Sequence, residues 1–230
     1  MIDTYPGGKN GAGVYQNLIN QIPPHKFYIE GFLGSGAIMR RKKSAAFNVG
    51  IDRDLNVVLE WIKAYRPPQY DFLLGRFLGF LDRIDEFGYA ACDTFIYLDP
   101  PYLAETRRDP RPLYRYEMLE TEQHIELLAQ IQHRAEMIMI SGYWSDLYAE
   151  YLAGWRVENF ETVDRGGNTR TEFLWMNYPK PVRLHDYSYL GRDFIDRQRI
   201  KRKIRRLVKK LDKLPPLERA ALIAALTEYE

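Results

Sequence analysis

Apolar positions along this chain fall into short blocks separated by stretches of helical spacing. Phe27–Glu30, Ala46–Ile51, Phe95–Leu98 and Met137–Ile140 are rich in β-branched and aromatic residues and too short for helices. They predict buried strands. Val14–Ile22, Leu55–Ala64, Thr121–His133 and Trp144–Leu152 instead predict helices. Leu55, Val58, Leu59 and Ile62 form one apolar stripe that should face the core. Phe72, Leu73, Phe77, Phe80, Leu81 and Ile84 form another, predicting a further core-facing helix. Asp54 and Thr121 are placed to cap the helices that follow them. Trp155–Val163 and Thr171–Tyr178 predict two strands joined by the turn Asp164–Asn168. Strands alternating with helices, then a hairpin, predict an α/β fold with a mostly parallel sheet and an antiparallel C-terminal edge.

A second segment follows Pro179-Lys180-Pro181, which predicts a boundary between a domain at 1–180 and an extension at 181–230. Ile200, Ile204, Leu207, Leu211 and Leu214 recur at alternating four- and three-residue steps, giving a helix with one apolar seam. Pro215-Pro216 ends it, and Leu217–Tyr229 predicts a second helix, hence a helical hairpin. Charge is concentrated here. Residues 192–213 hold eleven Lys/Arg against three Asp/Glu, a net of +8 in a chain of total +2, so the remainder is net −6. Lys201, Arg202, Arg205, Arg206 and Lys209 are therefore candidates to meet a polyanion. A solvated face on a packed hairpin, or a dimer contact, are the other uses of such a helix.

Composition narrows the classes. No stretch is long and apolar enough to span a bilayer, and the N-terminus lacks the pattern of a signal peptide. With Cys92 alone there is no intrachain disulfide and no cysteine metal cluster, and the four histidines are scattered. The expectation is a soluble cytoplasmic protein with no metal.

The chemistry gathers at Asp99-Pro100-Pro101-Tyr102. Two prolines cannot continue a ladder, so the strand ending in Leu98 must stop at Asp99. A carboxylate, a rigid turn and an aromatic ring then stand at the carboxyl edge of the sheet, where open α/β sheets bind ligands. Asp99 and the Pro100 carbonyl can both accept from one exocyclic amine, and Tyr102 offers a face for stacking. That suits alkylation of an amino group on a base that has left its stack. Glycine-rich Gly31–Gly36 follows a strand and opens a helix, as nucleotide-binding loops do. Asp52 ends the next strand, where an acid binds ribose hydroxyls. Tyr5-Pro6-Gly7-Gly8-Lys9 is a glycine turn closed by a lysine. The stretch Leu103–Tyr116 is basic, aromatic and proline-broken. We read it as a lid or DNA clamp, with Arg107, Arg108, Arg111 and Arg115 on phosphates and Tyr114 or Tyr116 stacking.

Taken in order, these pieces resemble the D12-class (Dam-like) DNA N6-adenine methyltransferases. The resemblance rests on Tyr5–Lys9, Tyr28–Gly36, Asp52, Asp99–Tyr102, Ser141–Tyr143 and Thr171–Tyr178. It implies a Rossmann-like S-adenosylmethionine-dependent methyltransferase fold, with double-stranded DNA as partner and the protein a monomer or weak dimer. It implies a donor site made by Tyr5, Lys9, Glu30, Phe32, Gly34, Ser35, Gly36, Asp52 and Asp99. Asp99, Pro100, Pro101 and Tyr102 are the implied catalytic set, orienting N6 of a flipped adenine. Restriction–modification, housekeeping and phage roles all fit, in a bacterial or phage-infected cell.

Two features depart from that family. Glu30 is followed by Gly31 where Glu-Pro is usual, and about forty residues separate Asp52 from the catalytic turn. A large target-recognition domain does not fit there, so recognition falls to the Arg107–Tyr116 loop and the basic tail. Cytosine N4, RNA and protein amines are the alternative substrates, and an inactive nucleic-acid-binding protein is the alternative class. Serine usually stands at the position of Asp99 in cytosine N4 enzymes, which favours adenine.

Overall fold

The structure is a computed structural model, and it describes residues 8–11, 13–65, 67–107, 115–118, 120–163 and 167–228. Among these, seven strands form one sheet. They are β1 (Phe27–Glu30), β2 (Phe47–Asp52), β3 (Tyr70–Leu74), β4 (Thr94–Leu98), β5 (Met137–Gly142), β6 (Arg156–Val163) and β7 (Thr169–Met176). Their order is β3-β2-β1-β4-β5-β7-β6. The first five are parallel, and β7 runs antiparallel to both β5 and β6. The chain leaves β1 toward β2 on one side and reaches β4 on the other, which opens a cleft at the carboxyl ends of β1 and β4.

Helix α1 (Val14–Ile19) precedes β1, and α2 (Ala37–Arg41), α3 (Leu55–Ala64), α4 (Phe77–Leu81), α5 (Thr121–Ile131) and α6 (Asp146–Tyr151) lie in the connections between strands. The parallel strands alternate apolar residues on both faces because both faces are covered. Ile29, Ile96 and Leu98 join Phe77 of α4, Leu127 and Leu128 of α5, and Tyr148 of α6 in one core. Tyr28 and Phe95 point the other way; Phe95 stacks on His25, and Tyr28 lies tilted beside it.

Three expectations about elements change. Phe72 and Leu73 belong to a strand, β3, whose Phe72 pairs with Gly50 of β2. Gly75 then interrupts the stripe, and only Phe77–Leu81 continues it as a helix. A run of aromatic and β-forming side chains beside an unpaired edge of β2 gains a ladder that a helix would forgo. On α3 the buried residues are Val58 and Trp61, whereas Leu55, Leu59 and Ile62 are about half exposed. Trp61 is the largest apolar side chain on that helix, and its burial turns the helix about its axis. Asp54 caps α3 by accepting from Asn56 N at 2.9 Å. Thr121 is the first residue of α5, and the residue at the cap position is Glu120, which makes no side-chain cap bond.

The chain forms two compact units, residues 1–187 and 188–230. The first extends past Pro181 because the following segment docks. His185 stacks on His25 with centroids 3.8 Å apart, and Asp186 accepts from Lys43 N at 2.8 Å. The second unit contains α7 (Phe194–Leu211) and α8 (Pro216–Glu228). Asp193 caps α7 by accepting from Asp196 N at 2.8 Å. On α7 the residues Lys201, Arg205 and Lys209 lie at four-residue spacing, on a different face from Ile200, Ile204, Leu207 and Leu211. No helix among the described residues is long and apolar enough to cross a membrane.

Candidate active site

The glycine turn is built by close packing. Gly36 has φ +53°, and a Cβ there would stand 2.2 Å from the Trp61 ring. A Cβ on Gly31 would stand 2.6 Å from both Leu98 and Phe77. The glycine that departs from the resembled pattern is therefore required by its neighbours. The Trp61 Nε1–H donates to the Gly34 carbonyl at 3.0 Å, so one fully buried indole sets the turn. Trp61→Ala should lower stability by about 3–5 kcal/mol, read as a reduced denaturation midpoint. An unchanged midpoint would mean that the turn is held otherwise.

Asp52 closes the same turn from β2. Its Oδ2 accepts from Gly34 N and its Oδ1 from Asp54 N, both at 2.8 Å. Burial raises its carboxyl above the usual range, against the pull of those two donors. It lines the cleft with lone pairs to spare for hydroxyl groups. At the end of β1, Glu30 Oε2 accepts from Tyr28 OH at 2.8 Å and from Met39 N at 3.1 Å. Its Oε1 receives no hydrogen bond among the described residues. Burial pushes the Glu30 carboxyl up to about 8. Phe32, Gly34, Ser35 and Gly36 line the same cleft.

Asp99 stands just beyond β4, across the cleft from the glycine turn. Its Oδ1 accepts from Ser141 Oγ of β5 at 2.9 Å, and Ser141 is bonded in turn to Tyr97 OH at 3.0 Å. The same oxygen lies 2.9 Å from Lys9 Nζ. Asp99 Oδ2 receives no hydrogen bond among the described residues, and neither does the Pro100 carbonyl. Both acceptors named from the sequence are thus unspent. Pro101 lines the cleft as well.

Lys9 has a second partner that the motifs alone do not indicate. Glu172 Oε1, on β7, lies 2.9 Å from Lys9 Nζ. Tyr102 OH accepts from Lys9 and donates to Glu172. Four side chains from three distant parts of the chain meet here, with Lys9 and Glu172 both buried. Burial opposes charge on Lys9, but the Asp99 and Glu172 carboxylates outweigh it and hold the ammonium above its usual range. Burial raises Glu172 in turn, against the pull of Lys9. The signal in the sequence was an acid within an apolar strand. Alternation puts Glu172 with Leu174 and Met176 on the buried side, where a carboxylate needs a cation.

The residues named for nucleic acid divide. Arg108, Arg111 and Tyr114 lie outside the described residues, as does Tyr5, which was named for the donor site. Arg107 does not fit the expected phosphate grip, because its side chain is only 6% exposed. Its Nε donates to the Tyr102 carbonyl at 2.7 Å, and its Nη2 pairs with Glu117 at 2.7 Å. A buried guanidinium in an ion pair is positioned to brace the Asp99–Tyr102 turn. Arg115 remains largely exposed, 3.4 Å from Asp54. Tyr116 lies under Arg53 and lines the cleft. Lys201, Arg202, Arg205, Arg206 and Lys209 are all exposed on α7. Among the described residues no cluster of His, Cys, Asp and Glu is arranged to hold a metal.

No family model and no curated protein sequence matches the chain. Solved structures resemble it in chain path. One is a SAM-dependent methyltransferase from Agrobacterium tumefaciens, at 14% identity over 71% of this chain and 60% of that one, TM-score 0.43. Another is an rRNA methylase from Streptococcus thermophilus, at 10% identity over 70% of this chain and 92% of that one, TM-score 0.42. The strand order is that of the Rossmann-like methyltransferase fold, mostly parallel with an antiparallel hairpin at the C-terminal edge.

Proposed function

We propose that this chain transfers a methyl group from S-adenosylmethionine to N6 of an adenine that has left a DNA duplex. The observation that carries this reading is the pair of unspent acceptors, Asp99 Oδ2 and the Pro100 carbonyl, on a turn braced from three sides. Ser141 and Lys9 fix Asp99 Oδ1, and Arg107 holds the Tyr102 carbonyl. A donor–donor amine fits two acceptors and turns its lone pair away from them. The amine is then aligned before reaction, so positioning lowers the barrier. The carboxylate also stabilises positive charge as it develops on nitrogen.

The residues present suit the donor. Glu30 Oε1 is matched to its cationic aminoacyl end, Asp52 to its ribose hydroxyls, and Gly34 and Gly36 admit its body against backbone. Bound there, the donor supplies an electrophilic methyl group on a sulfonium. Exposed bases on α7 are suited to a duplex backbone.

Labelled methyl transfer to unmodified DNA, followed by digestion to nucleosides, tests the reading. Label in N6-methyladenosine is expected. Label in N4-methylcytosine would keep the alignment chemistry and replace the base. Absence of label, with transfer to RNA instead, would replace the polymer.

Donor binding should also release a proton. Glu30 is largely neutral at pH 7, because burial holds its carboxyl at about 8. A bound ammonium favours the carboxylate, so affinity rises with pH from 6 toward 8 and falls above it, as the donor's α-amino group, with an ordinary pKa of about 8, loses its proton. Calorimetry at pH 7 in two buffers of different ionisation enthalpy should detect the release. Glu30→Gln should lose it. The same release from Glu30→Gln would assign the proton to another group.

A further inference from the structure

We propose that Glu172 is a positioning residue that shares the charge of Lys9 with Asp99, so that the amine site keeps one net negative charge. The inference rests on the methyltransferase reading for its consequence, but its geometry stands apart from it. One ammonium faces two carboxylates at 2.9 Å each. Were Lys9 paired with Asp99 alone, the two would cancel, and the amine would meet a neutral pair. Transfer of a methyl cation to nitrogen builds positive charge there. A neutral pair stabilises that charge less than a net anion does, and the difference is large in a site shielded from water. Glu172 supplies the missing anion. Through Tyr102 OH it also fixes the ring expected to stack on the base. Lys9 and Ser141 together occupy Asp99 Oδ1, which directs Oδ2 to the amine. Register explains how an antiparallel strand contributes. β7 enters the sheet at the edge where β4 and β5 end, with Phe173 opposite Gly142 and Leu174 opposite Ser141. Glu172 therefore comes level with the end of β5.

The test combines charge and rate. E172Q keeps the shape and removes the anion. Its single-turnover rate should fall about 10- to 100-fold, with target KM changed far less, as expected when an interaction acts in the transition state. K9M/E172Q removes the cation as well, leaves Asp99 the sole charge, and should regain part of the lost rate. A merely structural Glu172 would give a double variant at least as slow as the worse single one. A wild-type rate in E172Q, or a double variant slower than both singles, overturns the proposal. A second readout needs no activity. Acylation of Lys9 at pH 9, followed by mass spectrometry, should quicken several-fold in E172Q and in D99N alike. An unchanged rate in E172Q gives Lys9 wholly to Asp99 and overturns the proposal even if the chain methylates nothing. Inactive wild-type protein with the acylation pattern as expected would instead overturn the methyltransferase reading. If E172Q does not fold, K9M/E172Q, whose one remaining charge, Asp99, is 18% exposed, carries the rate comparison against K9M.

Discussion

Replacing Asp99 by alanine should stop methyl transfer while the sheet still folds. The expected loss is at least about 10²- to 10³-fold, the usual effect of deleting one preorganised polar group at a reacting centre. Two contributions disappear together. The amine loses the acceptor that aligns it, and the developing charge on nitrogen loses its nearest anion. The fold should survive because each partner of Asp99 has another. Lys9 keeps Glu172 at 2.9 Å, and Ser141 keeps Tyr97 at 3.0 Å. Leaving a buried ammonium wholly unpaired would cost several kcal/mol, and this substitution does not do so. Single-turnover rates with saturating donor give the measurement, with circular dichroism and donor affinity as controls. A rate within a few-fold of wild type would remove Asp99 from the chemistry and with it the proposed alignment of the amine.

The parts of this site that were legible in the sequence are those set by local rules. Strand ends marked by Asp52 and Asp99, the cap at Asp54 and the glycine turn each follow from a few adjacent residues. What was not legible depends on partners far along the chain. Arg107 sits in a basic stretch and reads as a phosphate ligand, yet Glu117 and the Tyr102 carbonyl take its donors. Only the folded chain brings that acid and that carbonyl together. Glu172 is separated from Lys9 by most of the domain, and no spacing rule connects them. The Phe72 stripe failed for a related reason. Its helical periodicity was real, but the edge of β2 was available to pair with it. Burial alone did not decide between strand and helix there, whereas a free ladder did.

Converting Lys201, Arg202, Arg205, Arg206 and Lys209 to glutamine should flatten the salt dependence of DNA binding. Each phosphate-binding cation neutralised removes about 0.9 from the slope of log affinity against log salt, so five together remove about 4 to 5. The expected weakening at low salt is correspondingly several powers of ten. All five side chains are exposed and stand apart from the apolar seam, so their neutralisation should leave α7 helical. Glutamine is nearly as good a helix former as lysine or arginine, which keeps propensity out of the comparison. Charge placement makes this helix the natural test. It carries a net charge of +8 in a chain of total +2, so the remainder is net negative, and a negative remainder repels a phosphate backbone. Binding measured by fluorescence anisotropy across a salt series separates the alternatives. A slope reduced in proportion to the charges removed assigns α7 to the backbone. An unchanged slope places the grip elsewhere, and Arg115 beside the cleft would then be the next cation to neutralise.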